Sequence, residues 1–231
     1  MSIEKKSKIT RYVVSSAMVV NALAAPAAFA ADESVSPDAV RAAVKELMDK
    51  AIMVGNANGE LYLEEKLTRV QVAAILARSL GLDPSAAPIS AFVDVSKDHW
   101  GLKYISVMDS LGIMSGANGS FRPNAVLTRE ELAAVLVRLT QTSIAGKGGN
   151  LTISDANEVS PWARAYVQAA IEMGLIPAVN GKFSPKSPVD RKEVAVLTAA
   201  LIKSDQFETY KESANALLGE GKKISNSDPS V

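Results

Sequence analysis

The sequence contains no cysteine and a single histidine, His99. Without cysteine the chain cannot form a disulfide, a thiolate nucleophile, or a cysteine-ligated zinc or iron–sulfur site. With one histidine it cannot form a multi-histidine metal site, and a Ser–His–Asp triad would have to use His99. Neither sign of charge dominates, because 25 Lys and Arg residues balance 25 Asp and Glu residues. That balance argues against a nucleic-acid binder, which needs a basic surface.

Aromatic residues are also few, at 5% of the chain, whereas hydrophobic residues make up 48%. A chain of 231 residues with this composition can bury a core without covalent cross-links, which indicates a globular protein rather than a disordered one. The sequence offers no set of side chains for a resident metal or cofactor, so we predict neither.

Residues 1–30 have the three parts of a secretory signal peptide. A nearly uninterrupted apolar stretch covers residues 12–25, and Ala28-Phe29-Ala30 is an A-x-A site that predicts cleavage after Ala30. The alternative is an uncleaved membrane anchor, but the stretch is short for a bilayer span of about 20 residues. We therefore expect an exported protein with no transmembrane span after cleavage. The positively charged start consists of Lys5, Lys6, Lys8 and Arg11.

The rest of the chain contains three tandem copies of one sequence unit, which recurs about every 60 residues. Segments 92–140 and 153–202 align over their full length, and an earlier copy at 38–82 keeps only its second half clearly. We predict repeats at 36–82, 91–141 and 152–203, followed by a polar, loosely attached C-terminal tail at 204–231 that contains one short amphipathic stretch near residues 207–218. Matched pairs include Trp100 with Trp162, Tyr104 with Tyr166, Phe121 with Phe183, and Arg129 with Arg191.

Each copy predicts a helix, a turn and a second helix, so the expected fold is all-α, with three helix–loop–helix repeats in a pseudo-threefold bundle. Apolar residues follow helical spacing in both helices of each copy. Asp98 is expected to cap the first helix of the second copy, and Ser160-Pro161 to start that of the third. The second helices open on Thr68, Thr128 and Asp190, each followed three residues later by Gln or Glu, which predicts a capping box.

The motifs of the second copy resemble those of the S-layer homology domain. They are Phe92-x-Asp94-Val95, His99-Trp100, Phe121-x-Pro123 and Leu127-Thr128-Arg129-Glu130-Glu131. Three tandem copies behind a signal peptide are similar to the cell-wall anchoring module of Gram-positive surface proteins. The resemblance implies a spindle-shaped body that binds secondary cell-wall polysaccharide, often bearing pyruvate ketals on N-acetylmannosamine, in grooves between repeats. It also implies a location in the cell wall or S-layer, with peptidoglycan as a further partner to consider.

Arg69, Arg129 and Arg191 recur at the start of the three second helices. A cation there is mildly unfavourable beside the positive end of the helix dipole, so the recurrence needs another reason. A guanidinium backed by free helix-start amides would bind a carboxylate such as that of a pyruvate ketal. The alternative is a salt bridge to a neighbouring carboxylate such as Asp94 or Asp155.

Each of the other candidate binding residues has two possible roles, one in binding and one in the structure. Trp100 and Trp162 would stack on sugar rings or simply fill the core. The glycines at 55 and 116 would end the first helices or let a ligand approach the backbone. The two aspartates would cap the chain locally or accept sugar hydroxyls. The preferred groove combines Arg69 with the second copy, and the full candidate set is Arg69, Arg129, Arg191, Asp94, Trp100, Gly116, Asp155, Trp162 and Gly55.

Three functions compete at this point. The leading one is a non-enzymatic anchor that holds a secreted surface protein to wall polysaccharide. The second is a structural S-layer lattice component that acts mainly through protein partners. The third is a wall-acting glycosidase with paired carboxylates at Glu64 and Glu65 or at Glu130 and Glu131. Adjacent residues point in different directions and these lie near helix-capping positions, so we do not expect catalysis.

Overall fold

A computed structural model describes residues 36–55 and 59–219 of the protein. The predicted signal peptide, residues 1–30, lies outside the described residues. Within the described ranges the chain forms seven α-helices and no β-strand, which confirms the predicted all-α fold. The helices are α1 (Pro37–Asp49), α2 (Arg69–Ser79), α3 (Leu102–Ser110), α4 (Arg129–Leu139), α5 (Arg164–Glu172), α6 (Arg191–Leu201) and α7 (Asp205–Gly219).

The first six helices pack in three pairs that cross from one unit to the next. Helix α2 packs on α3, α4 packs on α5, and α6 packs back on α1. The second helix of each helix–loop–helix unit is thus covered by the first helix of the following unit. The third unit returns to the first, so the chain closes into a ring of three units. The exact limits proposed for the repeats stay predictions.

The centre of this ring is a triangle of backbone hydrogen bonds between the residues that precede the second helices. Leu67 N–H donates to the Val189 carbonyl, Leu127 N–H to the Leu67 carbonyl, and Val189 N–H to the Leu127 carbonyl, each at 3.0 Å. All three side chains are fully buried. The three units are therefore related by an approximate threefold symmetry, and each contacts both others at this point.

The same symmetry extends to the first residue of each second helix. Arg69 N–H donates to the Ala125 carbonyl at 2.9 Å, and Arg129 N–H donates to the Ser187 carbonyl at 3.0 Å. Arg191 N–H closes the set by donating to the Glu65 carbonyl at 3.0 Å. Amides at a helix start have no partner within their own helix. Here the loop of the next unit supplies one, so the helix starts hold the ring together.

The capping box predicted on α4 is complete, whereas the one predicted on α6 is only half formed. Thr128 N–H donates to Glu131 Oε2 at 2.9 Å, and Glu131 N–H donates to Thr128 Oγ1 at 3.4 Å, which confirms the box on α4. On α6, Asp190 accepts from Glu193 N–H at 2.9 Å, but the Glu193 side chain pairs with Arg129. The third box is therefore only half formed, because the reciprocal carboxylate serves a contact between units.

The first helices start later than the sequence predicts. Helix α3 is capped by Gly101 rather than by Asp98. His99 Nδ1 accepts from Gly101 N–H at 3.0 Å and closes a tight turn there. A Cβ on Gly101 would lie 2.1 Å from Val70 Cγ2, so this turn packs against the start of α2. In the third unit Ser160 caps a short 3₁₀ turn that leads into α5.

Residues 205–219, within the segment expected to be a loosely attached tail, form the packed helix α7. The amphipathic stretch was predicted near residues 207–218, and α7 covers it. One face of α7 is buried to at least nine-tenths, formed by Phe207, Tyr210, Ala214 and Leu218. The spacing of apolar residues predicted the helix. The polar composition of the surrounding segment gave no indication that its apolar face is buried.

Candidate functional site

Three junctions in the ring are the candidate sites, each formed by the start of a second helix and the loop of the next unit. The first junction joins Arg69 to the loop 115–127, and the second joins Arg129 to the loop 177–189. The third joins Arg191 to residues 59–67 of the first unit. The three arginines occupy equivalent backbone positions, so differences between them arise from their surroundings.

Arg69 is a buried structural bridge in the first junction. Its side chain is 1% exposed. Nε donates to the Phe121 carbonyl at 2.9 Å, and Nη2 donates to the Ser115 carbonyl at 3.0 Å. The guanidinium lies 4.9 Å from the Phe121 ring centroid and 3.5 Å from Glu131 Oε1. Burial lowers the pKa of Arg69, and the facing carboxylate of Glu131 opposes that shift.

Arg129 repeats this arrangement in the second junction. Nε donates to the Phe183 carbonyl at 2.7 Å, Nη2 donates to the Pro177 carbonyl at 3.1 Å, and Nη1 pairs with Glu193. The guanidinium stands 5.2 Å from the Phe183 ring centroid. Burial raises the pKa of Glu193, and the charge of Arg129 works against this. Both arginines thus tie a loop to a helix start.

These contacts revise two parts of the interpretation drawn from the sequence. The helix-start amides expected to be free for a ligand are bonded to loop carbonyls of the next unit. Ion pairing was an alternative to anion binding, but its partners are Glu131 and Glu193 rather than Asp94 and Asp155. Those glutamates lie at the third position of the following helix, where they also cap or flank the helix start.

Arg191 differs from the other two in the third junction. Its Nη2 donates to Glu65 Oε2 at 2.7 Å, whereas Nε is buried without a hydrogen-bond partner among the described residues. The side chain of Arg191 is 14% exposed and that of Glu65 is 51% exposed. The first unit has Leu61 where the others have phenylalanine, and Gln71 where they have glutamate. The aromatic ring and the carboxylate that hold the other arginines are therefore replaced.

An open surface pocket of about 580 Å³ lies at this junction, lined by Tyr62, Leu63, Glu64 and Glu65. Tyr62 is 59% exposed and has a φ of +46°, in the left-handed region. Lys192, the residue after Arg191, donates to Glu64 Oε1 at 3.0 Å. Sequence reasoning missed Tyr62 and Lys192 as site residues. The offset of about 60 residues would have flagged Tyr62, because it falls on Arg122 and Ser184 in the other units.

Asp94 and Asp155 each clamp the loop of their own unit. Asp94 accepts from Phe121 N–H at 2.8 Å and from Arg122 N–H at 2.7 Å. Asp155 accepts from Phe183 N–H at 3.0 Å and from Ser184 N–H at 2.7 Å. Each clamp fixes the carbonyl group to which an arginine donates. Local capping is thus the role that the geometry shows, and a contact with sugar hydroxyls stays a prediction.

The remaining predicted residues occupy different settings. Trp100 is 54% exposed beside His99, with ring centroids 5.9 Å apart, whereas Trp162 is partly buried against the core. The glycines do not end the first helices, because α1 and α3 end at Asp49 and Ser110. A Cβ on Gly116 would lie 2.4 Å from the Phe92 ring, and one on Gly55 would lie 2.6 Å from the Gly59 carbonyl carbon. Both glycines allow the loop to pack against itself.

The carboxylate pairs considered for catalysis have structural partners. Glu130 is 4% exposed and accepts from Ser160 N–H and Oγ–H at 3.0 and 2.8 Å. Glu131 caps α4, and Glu64 and Glu65 pair with Lys192 and Arg191. Among the described residues, no group of three or more His, Asp or Glu side chains is placed to hold a metal ion.

The fold and the junctions define a class of protein: a closed ring of three helix–loop–helix units whose helix starts bind the neighbouring loop. Residues 91–133 and 152–195 match the S-layer homology domain. The chain therefore carries S-layer homology domains, as the motifs of its second and third units predict. No helix in the described part of the chain is both long and apolar enough to cross a membrane.

Several characterised proteins are similar over most of this chain. The surface-layer 125 kDa protein of Lysinibacillus sphaericus is 31% identical over 194 residues, which cover 78% of this chain and 16% of that protein. The S-layer protein sap of Bacillus anthracis is 27% identical, over 75% of this chain and 21% of that protein. An amylopullulanase of Thermoanaerobacterium thermosulfurigenes is 28% identical, over 69% of this chain and 9% of that enzyme. The chain thus spans about a fifth or less of the length of these relatives.

The difference between Arg69 and Arg191 predicts unequal effects on stability. Arg69→Ala would remove the side-chain donor to two loop carbonyls and a buried charge that faces Glu131, and should lower the free energy of unfolding by about 3–5 kcal/mol. Arg191→Ala removes one bond to a half-exposed carboxylate and should cost about 1 kcal/mol or less. Urea unfolding followed by circular dichroism measures both. Equal losses for the two variants would contradict the distinction between the junctions.

The aspartate clamps predict that the stability of the fold depends on pH. Burial raises the pKa of Asp155, but hydrogen bonds from the Phe183 and Ser184 backbone outweigh it and hold the pKa below the ordinary 3.8. The clamp therefore stabilises the fold fully above that value and loses its effect as the pH falls. Asp155→Asn should lower the free energy of unfolding by about 1–3 kcal/mol at pH 7. Asp94→Asn should lower it by less, since Asp94 is more exposed than Asp155.

Thermal melting between pH 7 and pH 3 tests this effect. The gap between the wild-type protein and Asp155→Asn should narrow as the pH falls below about 4. A gap that stays constant over this range would show that the side-chain charge contributes nothing to the clamp.

Proposed function

We propose that this protein is a non-catalytic module that anchors a surface protein to the bacterial cell wall. It would bind a carboxylate-bearing secondary wall polysaccharide, of the pyruvylated N-acetylmannosamine type, chiefly at the third junction. The observation that carries this proposal is the guanidinium of Arg191, whose Nε has no hydrogen-bond partner among the described residues, in a junction that also forms an open pocket of about 580 Å³.

The relatives support the anchoring part of the proposal. Proteins named as surface-layer proteins and a protein named as an amylopullulanase are each similar to more than two thirds of this chain. In the amylopullulanase this stretch is only 9% of the length. A module that recurs in proteins of such different size and name is suited to a shared location rather than to a shared reaction. Association with the cell wall or S-layer is the location that fits.

The chemistry of the third junction supports an anionic ligand. Arginine presents its donors in a planar fork that matches a carboxylate, and Arg191 has an unsatisfied buried Nε. Lys192 adds a second positive charge on the same helix start, where the helix dipole also favours an anion. The ketal carboxylate of a pyruvylated sugar would therefore bind at Arg191.

Tyr62 would supply the sugar-binding face of this junction. Its ring is 59% exposed and is held at a left-handed backbone position in a loop that also lines the cavity. Aromatic rings pack well against the apolar C–H faces of sugars while the hydroxyl keeps a polar partner. Tyr62 Oη donates to Glu60 Oε2 at 2.9 Å, which orients the ring.

The first and second junctions would mainly support the fold. Arg69 is 1% exposed and Arg129 is 16% exposed, and both are bonded to loop carbonyls. Trp100 remains a candidate sugar platform beside the first junction because it is 54% exposed. Binding roles for Asp94, Gly116, Asp155, Trp162 and Gly55 stay predictions. A lattice role through protein partners is the competing function.

Co-sedimentation with Gram-positive wall sacculi, before and after hydrofluoric-acid extraction of the secondary polymer, tests the proposal. The protein should sediment with intact sacculi and lose binding after extraction. Arg191→Ala should weaken binding about tenfold or more, because a charge-assisted fork contact is lost. Arg122→Ala is the matched control, since Arg122 is an exposed arginine in the first junction.

Each outcome has a definite meaning. Binding that survives extraction would point to peptidoglycan, and no binding to either preparation would favour a protein partner. Equal loss of binding in Arg191→Ala and Arg122→Ala would show that overall positive charge, rather than the third junction, attracts the wall.

A further inference from the structure

We propose that the Glu65 carboxylate is a built-in competitor for the anion site at Arg191. It occupies the guanidinium donor that a ligand carboxylate needs, and it must turn away before an anionic sugar can bind. This inference rests on the proposed function of the third junction and concerns how that junction is regulated.

Comparison of the three junctions shows that the backbone contact between units does not need a carboxylate at the loop position of Glu65. The residue that accepts a hydrogen bond from the first helical amide is Ala125, Ser187 or Glu65. All three use the backbone carbonyl in the same way, at 2.9 to 3.0 Å. Only the first unit adds a carboxylate at this place. The backbone contact thus closes without the Glu65 side chain, which gives Arg191 a carboxylate partner from a different position than Glu131 and Glu193 in the other junctions.

The position of Glu65 lets its side chain move while its backbone stays fixed. Glu65 N–H donates to the Tyr62 carbonyl at 2.9 Å, and the Glu65 carbonyl accepts from Arg191 N–H at 3.0 Å. The side chain itself is 51% exposed. Exposed ion pairs contribute little because solvent screens them and ordering the side chains costs entropy. A rotation of the side chain would uncover Arg191 at small cost.

The contact of Glu65 with Arg191 imitates the expected ligand. Nη2 of Arg191 donates to a carboxylate oxygen at 2.7 Å, the geometry that a ketal carboxylate would take. A ligand carboxylate regains this bond and has the buried Nε as a second donor. A neutral sugar gains neither, so the Glu65 pair would stay closed against it. Competition by Glu65 would thus lower the affinity of the site for all ligands, and it would lower the affinity for uncharged ligands most.

If Glu65 occupies the site, removal of its carboxylate should measurably increase the affinity for the ligand. Because an exposed pair is worth only a small free energy, Glu65→Gln should bind pyruvylated N-acetylmannosamine about two- to fivefold more tightly than the wild-type protein. The matched control is Glu208→Gln, which removes the same charge from a glutamate on α7 whose side chain is 57% exposed and paired with Lys211, outside the third junction. Isothermal titration calorimetry measures the affinities, and thermal melting checks that all variants fold.

The outcomes separate this inference from the proposed function. Tighter binding by Glu65→Gln, beyond any gain in Glu208→Gln, supports the competitor. Unchanged or weaker binding by Glu65→Gln, or an equal gain in both variants, overturns it. If Arg191→Ala then still loses binding, the proposed function stands. If the wild-type protein does not bind the pyruvylated sugar at all, both fail.

Discussion

The loops of this ring are held by arginines that donate to backbone carbonyls of the next unit. Each buried guanidinium needs several acceptors at once, since an unsatisfied buried charge is very costly. Arg69 obtains them from the carbonyl groups of Ser115 and Phe121 and from Glu131. Those acceptors are in place because Asp94 clamps the loop and Gly116 lets it fold tightly. The capping glutamate, the aspartate and the glycine all serve this one contact between units.

The first unit departs from this pattern, and the departure is what makes the third junction different. Leu61 and Gln71 replace the phenylalanine and the glutamate that hold the other arginines. Among the described residues, Arg191 keeps a side-chain bond to Glu65 while its buried Nε has no partner, and residues 62–65 of the same junction line an open pocket. The backbone triangle around Leu67, Leu127 and Val189 still closes the ring. The fold can therefore tolerate an incompletely bonded arginine, and this junction is where we place ligand recognition.

The all-helical fold and the equivalence of the three arginines could be predicted from the sequence, because both depend on local patterns and a period. The partners of Arg69 and Arg129 could not, since they come from residues 46 to 64 positions away in the chain. The start of α3 depends on Val70 packing against Gly101, which no local pattern reveals. The departures in the first copy can be seen in the sequence, but only the contacts show that Arg191 Nε has no hydrogen-bond partner among the described residues.

The most direct test follows the arginine Nε–H signals by NMR while the pyruvylated sugar is added. Arg69 and Arg129 donate through Nε to loop carbonyls. Their signals should be protected from hydrogen exchange and should not move. The Nε signal of Arg191, which lacks a partner among the described residues, should shift as the ligand carboxylate binds. Shifts at Arg69 or Arg129 with an unchanged Arg191 would contradict the account, because ligand binding would then use the junctions that hold the ring together.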